Sequence, residues 1–288
     1  MKREIGKTGV KVFPLGLGAM PLSIRQDRPD EDDAIKVLHA AWDAGIQFVD
    51  TANVYCLDDG DLGHNERLIR KALEQRPDSE VYVATKGGMR RPDGRWEADG
   101  RPEHLKRSCE QSLADLGVET IFLYQLHTPD PKVPFKESIG ALMELQQQGK
   151  IRHIGISNVS KEQADEALAM TRVETIQNRA NPFWKKDYQT TGILQLCEQY
   201  QLTFLPYSTV GGHNHHRDAA ASETLSGMAG ERHVTPYQII LAWHLAQGPA
   251  VIPIPGASKV DSVRASVAAV ELELNGWEFQ RISQLDDI

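Results

Sequence analysis

Eight short apolar runs, separated by stretches with helical patterning, constrain this chain more than any other feature. The runs are Phe13–Gly18, Gln47–Asp50, Val81–Lys86, Ile121–His127, Ile154–Ser157, Thr175–Gln177, Thr203–Tyr207 and Val251–Pro255. Helical patterns lie between them at Asp30–Ala44, Asn65–Glu74, Pro102–Leu116, Pro134–Gln148, Lys161–Ala169, Tyr188–Tyr200 and Val260–Val270. Strands alternating with helices give parallel β-α units, and eight such units predict a closed, eight-stranded (β/α)8 TIM barrel in place of an open sheet. Asp30, followed by Glu31, Asp32 and Asp33, suits the start of the first helix, where a capping side chain and negative charge meet the positive end of the dipole. Gly45, Gly117 and Gly149 each follow a helical stretch, as C-terminal caps do. Three pieces are surplus to the eight units. Residues 1–12 contain the turn-like Lys7-Thr8-Gly9 and predict an N-terminal β-hairpin; Thr235–Gln247 and Gly276–Leu285 predict two extra helices. No linker or internal repeat interrupts the pattern, so one domain is expected over 1–288.

Four ionisable side chains sit at the ends of these runs: Asp50 and Tyr55 in FVDTANVY, Lys86 in VYVATK, and His127 in IFLYQLH. Barrel enzymes carry their chemistry at the C-terminal ends of the strands. A carboxylate can hold a lysine ammonium, and that ammonium can lower the pKa of a buried tyrosine. A tyrosine tuned in this way donates a proton to a carbonyl. Each residue alone has an ordinary reading, since aspartate–lysine pairs also brace barrels. The set in this order is far more specific.

The bulk properties exclude several classes. A formal net charge of -8 argues against a nucleic-acid surface while leaving room for a small basic phosphate pocket. Cys56, Cys109 and Cys197 are odd in number and scattered, which fits a reducing cytoplasm and not a disulfide framework. MKREIGKTGVKVF lacks the apolar stretch of a signal peptide, and no apolar run is long enough to span a membrane, so a cytoplasmic protein without membrane partners is expected. His213, His215 and His216 in GGHNHHRD form no complete metal site by themselves, and no metal is expected. Cys56, directly after Tyr55, reads best as a packing residue.

With these residues in view, the chain resembles the aldo-keto reductase family. GIQFVDTANVY matches its glycine–aspartate–threonine–alanine–tyrosine signature, ATK and QLH fall where its lysine and histidine belong, and GKIRHIGISN matches its central motif. The resemblance implies that Tyr55 is the general acid for carbonyl reduction, that Lys86 held by Asp50 favours its phenolate, and that His127 donates a hydrogen bond to the substrate oxygen. It further implies a hydride-carrying nicotinamide cofactor in the barrel mouth. Ser157, Asn158 and Gln177 match the residues that bind its carboxamide, and Tyr207 matches the ring on which it stacks. Ser208 and Gly211, with Gly212, occupy the phosphate loop, where Thr209 and Val210 replace a proline and a leucine. In IPIPGASK, Gly256, Ser258 and Lys259 precede the last barrel helix, and an ammonium at Lys259 favours NADP(H) while leaving NAD(H) open. Gly18, in GLGAM, is counted with the cofactor positions, although that run lacks the third glycine of a dinucleotide fingerprint. Ser266 replaces the asparagine that typically meets the adenine.

The function expected on this resemblance is an NADP(H)-dependent carbonyl reductase or alcohol dehydrogenase acting on an aldehyde, ketone or sugar. The alternative is a cofactor-binding regulatory subunit with little turnover, similar to potassium-channel β subunits. Met20, Trp96, Pro129 and Trp184 are the candidate pocket walls. The sequence carries no marker of oligomeric state.

Overall fold

The barrel pattern resolves into a curled parallel sheet in a computed structural model that describes residues 2–286, except for the side chains of residues 213 and 214. Its strands are β3 (Leu17–Gly18), β4 (Phe48–Asp50), β5 (Tyr82–Gly87), β8 (Ile121–Leu126), β9 (Ile151–Ser157), β10 (Thr175–Gln177) and β11 (Thr203–Phe204). They lie in the spatial order β11-β10-β9-β8-β5-β4-β3, every pair parallel. The N-terminal segment contributes an antiparallel pair, β1 (Arg3–Glu4) and β2 (Lys11–Val12), joined through the Lys7–Gly9 turn. A second small pair, β6 (Met89–Arg90) and β7 (Glu97–Ala98), follows the end of β5.

Among the described residues the parallel sheet has seven strands, where eight are expected from the sequence. Val251–Pro255 does not form a strand; Val251 makes a single parallel bridge to Phe204, and the next residue, Gly256, makes one to Gly18. Pro253 and Pro255 have no N–H, so this segment cannot sustain a ladder on both sides. Its carbonyls still serve: Gly16 N donates to Pro253 O at 2.9 Å and Gly18 N to Pro255 O at 3.0 Å. On the other flank Ile252 N donates to Phe204 O at 2.9 Å. The proline-bearing segment therefore lies between the two edges of the sheet and touches both. A Cβ on Gly18 would stand 2.8 Å from Ile254 O, so glycine is required there for this close approach.

Helices cover the outer face: α1 (Glu31–Asp43), α2 (His64–Gln75), α3 (Pro102–Leu116), α4 (Phe135–Gln147), α5 (Lys161–Met170), α6 (Lys186–Gln189), α7 (Ile193–Tyr200), α8 (Gly212–Ala221), α9 (Glu223–Arg232), α10 (Pro236–Ala246), α11 (Val260–Ala268) and α12 (Gly276–Ser283). The Asp30 carboxylate accepts from Asp33 N at 2.9 Å and caps α1, as the sequence implied. The helix expected over Tyr188–Tyr200 is broken into α6 and α7, because Gly192 adopts φ +79 between them. The stretch read as a histidine-bearing loop instead contains α8 and α9, with the Ser222 hydroxyl capping the second.

Side chains alternate along the strands. Val49, Tyr124, Ile154, Ile156, Ile176 and Phe204 join the large core between sheet and helices. The inward set is split in two. Phe48, Ala84, Leu123, Leu205, Ile252 and Ile254 form a dry layer with Ile5 and Val12 of the N-terminal pair. One register step toward the strand C-termini the inward residues become Asp50, Lys86, Gln125 and Gln177. The apolar layer is the floor on which the polar one stands.

Candidate active site

Strand register assembles the site. Asp50 pairs with Ala84, so Lys86 lies two residues further along β5 on the same face; Lys86 pairs in turn with Gln125, and Gln125 with Gly155. Lys86 is fully buried, and its Nζ donates to Asp50 Oδ1 at 2.6 Å, Thr51 O at 2.8 Å and Tyr55 Oη at 2.9 Å. Three acceptors satisfy the three ammonium protons. The other oxygen of Asp50 accepts from Gln177 Nε2 at 2.8 Å and, more weakly, from Gln125 Nε2 at 3.3 Å. Gln125 was not singled out from sequence. It was detectable as the one polar interruption of IFLYQL, two residues before His127 and hence on the same face.

His127 follows β8, its ring edge-on to Tyr55 with centroids 5.8 Å apart. Burial, and next the Lys86 charge, hold the imidazole well below its usual value of 6.5, so it is neutral and carries one N–H. Tyr55 departs from the sequence expectation. Burial, and then the Asp50 charge, push its phenol well above the ordinary value of 10, so the Lys86 contact does not bring the proton within easy reach of neutral pH. Burial also lowers Lys86, against the opposing pull of Asp50. The phenol therefore stands protonated, with Lys86 as its hydrogen-bonded neighbour.

A cavity of about 630 Å³ opens above Asp50 and Tyr55 and runs outward to Lys259. Of the residues expected to hold a cofactor, Gly18, Tyr207, Ser208, Gly256, Ser258 and Lys259 line it. Gln177 is instead spent on Asp50. Asn158, in the left-handed region at φ +58, donates from Nδ2 to His127 O at 2.9 Å and to Ser157 Oγ at 3.2 Å, and accepts from Tyr207 Oη at 2.7 Å. It thus ties the histidine strand end to the aromatic on the cavity wall. Gly211 does not line the cavity but takes φ +96 in the turn that shapes its edge, where a Cβ would stand 2.3 Å from His215 O. Arg28, Ser262 and Gln238 also line the cavity and were not expected.

Met20 lines the cavity as expected. Trp96, carried by the β6–β7 pair, stands edge-on to Tyr55 at 6.4 Å and to His127 at 6.1 Å, with the Arg91 guanidinium over its ring at 4.1 Å. Trp184 is held by Arg179 and Lys186 and does not line the cavity. Cys56 is buried, its thiol pushed up to about 11 by burial, and its Sγ donates to Val54 O at 3.3 Å, which is a packing role. His215 Nδ1 lies 2.9 Å from Asp218 Oδ2, and His216 lines the cavity; the side chain of His213 lies outside the described residues. Among the described residues no group of three histidine, cysteine, aspartate or glutamate side chains is placed to hold a metal, and no helix is long and apolar enough to cross a membrane.

Fold and site together define a class: a curled parallel β/α sheet with a lysine-buttressed tyrosine and a long cleft at its C-terminal mouth. Residues 14–287 match the model of the Aldo/keto reductase family, and the chain belongs to that family. It is 31% identical to a probable aldo-keto reductase 1 of Glycine max, over 97% of this chain and 87% of that protein. It superimposes on the glycerol dehydrogenase AKR11B4 of Gluconobacter oxydans with TM-score 0.85, at 29% identity and covering 98% of this chain and 93% of the other. It also shares its fold with an aldo-keto reductase of Klebsiella pneumoniae in complex with NADPH, with TM-score 0.81, 24% identity and coverage of 98% and 94%.

Proposed function

We propose that the protein is an NADP(H)-dependent oxidoreductase that interconverts a carbonyl and an alcohol, with Tyr55 as the proton-transferring group. The observation that carries this reading is the Asp50–Lys86–Tyr55 chain, with contacts of 2.6 and 2.9 Å, opening into the cavity that also holds Ser208 and Lys259. The residues fit a dinucleotide. The cavity volume lies within the ~300–1,000 Å³ typical of ligand clefts, one end is a proton-donating site, and the other has a lysine at the N-cap of α11. Lys259 with the first backbone amides of that helix forms a cationic, donor-rich corner suited to a phosphate. The NADPH bound to the Klebsiella pneumoniae neighbour supports the same choice of cofactor. When bound, the nicotinamide supplies the hydride.

The chain's own residues do the rest. A carbonyl placed above Tyr55 accepts the phenol proton as the alkoxide charge develops, and the neutral His127 N–H offers a second hydrogen bond to the same oxygen. Lys86 stabilises the phenolate left behind, while Asp50 keeps that ammonium charged and in place. In the oxidative direction the phenol must first lose its proton, which its raised pKa opposes. Mixing the protein with NADPH and a panel of aldehydes, ketones and open-chain sugars tests the reading. Loss of NADPH absorbance with at least one carbonyl is expected, and absence of turnover across the panel would overturn it.

A further inference from the structure

The loop from Tyr207 to Gly212 lines the cavity, and inside it one backbone hydrogen bond, Gly211 N to Ser208 O at 2.9 Å, closes the turn. Ser208 has φ +51, Gly211 +96 and Gly212 +65, and Ser208 has no glycine's freedom to sit there. Thr209 is 1% exposed, and its Oγ1 makes no hydrogen bond. With threonine there, no proline ring presets φ. The anchors come from outside the loop. Asn181 Nδ2 donates to Ser208 O at 3.0 Å, and His244 Nε2 lies 3.0 Å from Thr209 O.

His244 is on α10 and has no exposed surface. Its Nδ1 lies 2.6 Å from the Tyr188 hydroxyl, and Tyr188 on α6 is itself wedged edge-on against Trp243 and Phe204. The proton positions follow from chemistry. A carbonyl oxygen only accepts, so Nε2 carries the hydrogen. Burial lowers the His244 pKa to about 4, so at neutral pH the ring holds no second one. Nδ1 therefore accepts from Tyr188, whose hydroxyl orients the ring in the tautomer that the Thr209 carbonyl sets. An apolar residue at 244 would fill the space equally well but leave the buried Thr209 carbonyl without a donor.

We propose that His244, with its ring oriented by Tyr188, is a positioning residue for the dinucleotide: it pins the Thr209 carbonyl and so holds Ser208 and Gly212 where the cofactor's phosphates meet the cavity wall. The inference rests on the dinucleotide reading above and adds a buried residue, with no cavity surface of its own, on which cofactor affinity depends.

The test is NADPH titration by quenching of tryptophan fluorescence on the wild type, His244→Leu, His244→Gln and Tyr188→Phe, each with an apo melting curve. Gln keeps an N–H near the Nε2 position, so His244→Gln binds NADPH within about threefold of wild type, whereas His244→Leu binds about tenfold more weakly, the scale of one lost hydrogen bond. Tyr188→Phe, which leaves Nδ1 without its donor and loosens the ring, falls between them. A packing role alone gives the opposite order, because leucine suits the apolar surroundings better than glutamine. Should His244→Leu fail to fold, His244→Asn replaces it, its amide being too short to reach Thr209. Equal affinities for the two His244 variants, or a leucine variant that binds like wild type, overturn the proposal while leaving the dinucleotide reading intact. A wild type that binds no NADPH overturns both.

Discussion

On the proposed function, Tyr55 concentrates the chemistry at the scale of one residue, and its surroundings decide which direction runs easily. Replacing it with phenylalanine removes the proton donor and leaves the ring. Carbonyl reduction by Tyr55→Phe is expected to fall about 10²- to 10⁴-fold, the usual worth of a positioned general acid, while the NADPH dissociation constant changes little. Turnover measured alongside a fluorescence titration separates the two effects, and near-normal turnover would remove Tyr55 from the mechanism. The pH profile follows from the shifts already described. His127 is lowered well below 6.5, so it stays neutral as pH rises through that value. Tyr55 is raised well above 10, so it stays protonated throughout the neutral range. The reduction kcat/KM should therefore be level between about pH 6.5 and 10, and an inflection inside that window would contradict both assignments. Oxidation, which needs the phenolate, should still be climbing at the top of the window.

Elements place these residues, and here the sequence was legible in some parts and silent in others. Asp50, Lys86 and His127 could be read because each ends an apolar strand, and a period of two makes the facing of a strand end predictable. The division of labour within the mouth could not be read. Gln177 serves Asp50, and Gln125 joins it, because strand register brings together residues far apart in the chain. Burial also outweighed the lysine at Tyr55, a balance no spacing reveals. Glycine and histidine at Gly211–His216 hide α8 and α9 behind a loop-like pattern, and the apolar run Val251–Pro255 looks like a strand although its prolines forbid a full ladder. Packing of α2 on β5 carries a prediction of its own. Glu66 on α2 is fully buried, with Oε1 accepting from Thr85 Oγ1 of β5 at 2.5 Å and Oε2 without a partner. Burial raises its pKa from 4.5 to about 7. The folded state thus holds this proton more tightly than the unfolded chain, and the stability it contributes is present below pH 4.5 and lost as pH rises through 7. Glu66→Gln keeps an acceptor for Thr85 and has no charge to bury. Relative to wild type it should gain stability between pH 5 and pH 8, by at most about 3 kcal/mol. Urea unfolding at both pH values checks the sign, and a difference independent of pH would show that Glu66 is not the group responsible.

The whole molecule is joined across a weak seam, and the cavity lies along it. Gly18 on β3, Ser208 after β11, and Gly256 and Ser258 just after the proline-bearing segment all border the same space, from three different parts of the chain. A ligand touching all of them links the first strand, the last strand and the segment between them without adding any covalent constraint. Because it binds the assembled form and not the unfolded chain, saturation by a hundredfold excess over the dissociation constant stabilises the fold by about 2.7 kcal/mol. For a chain of this size that corresponds to a rise in melting temperature of about 4–5 °C. NADPH should produce this shift, and NADH at the same concentration a smaller one, because only NADPH carries the 2′-phosphate that Lys259 is proposed to meet. Lys259 is exposed, so solvent and salt weaken the contact and its loss should cost about tenfold in NADPH affinity, the low end for a charged hydrogen bond. Lys259→Ala should then bring the NADPH shift down toward that of NADH and leave the NADH shift almost unchanged. Four melting curves, two proteins by two cofactors, decide the matter. An equal drop for both cofactors would mean that the corner before α11 has been disturbed as a whole, and a larger wild-type shift with NADH than with NADPH would reverse the assigned cofactor preference.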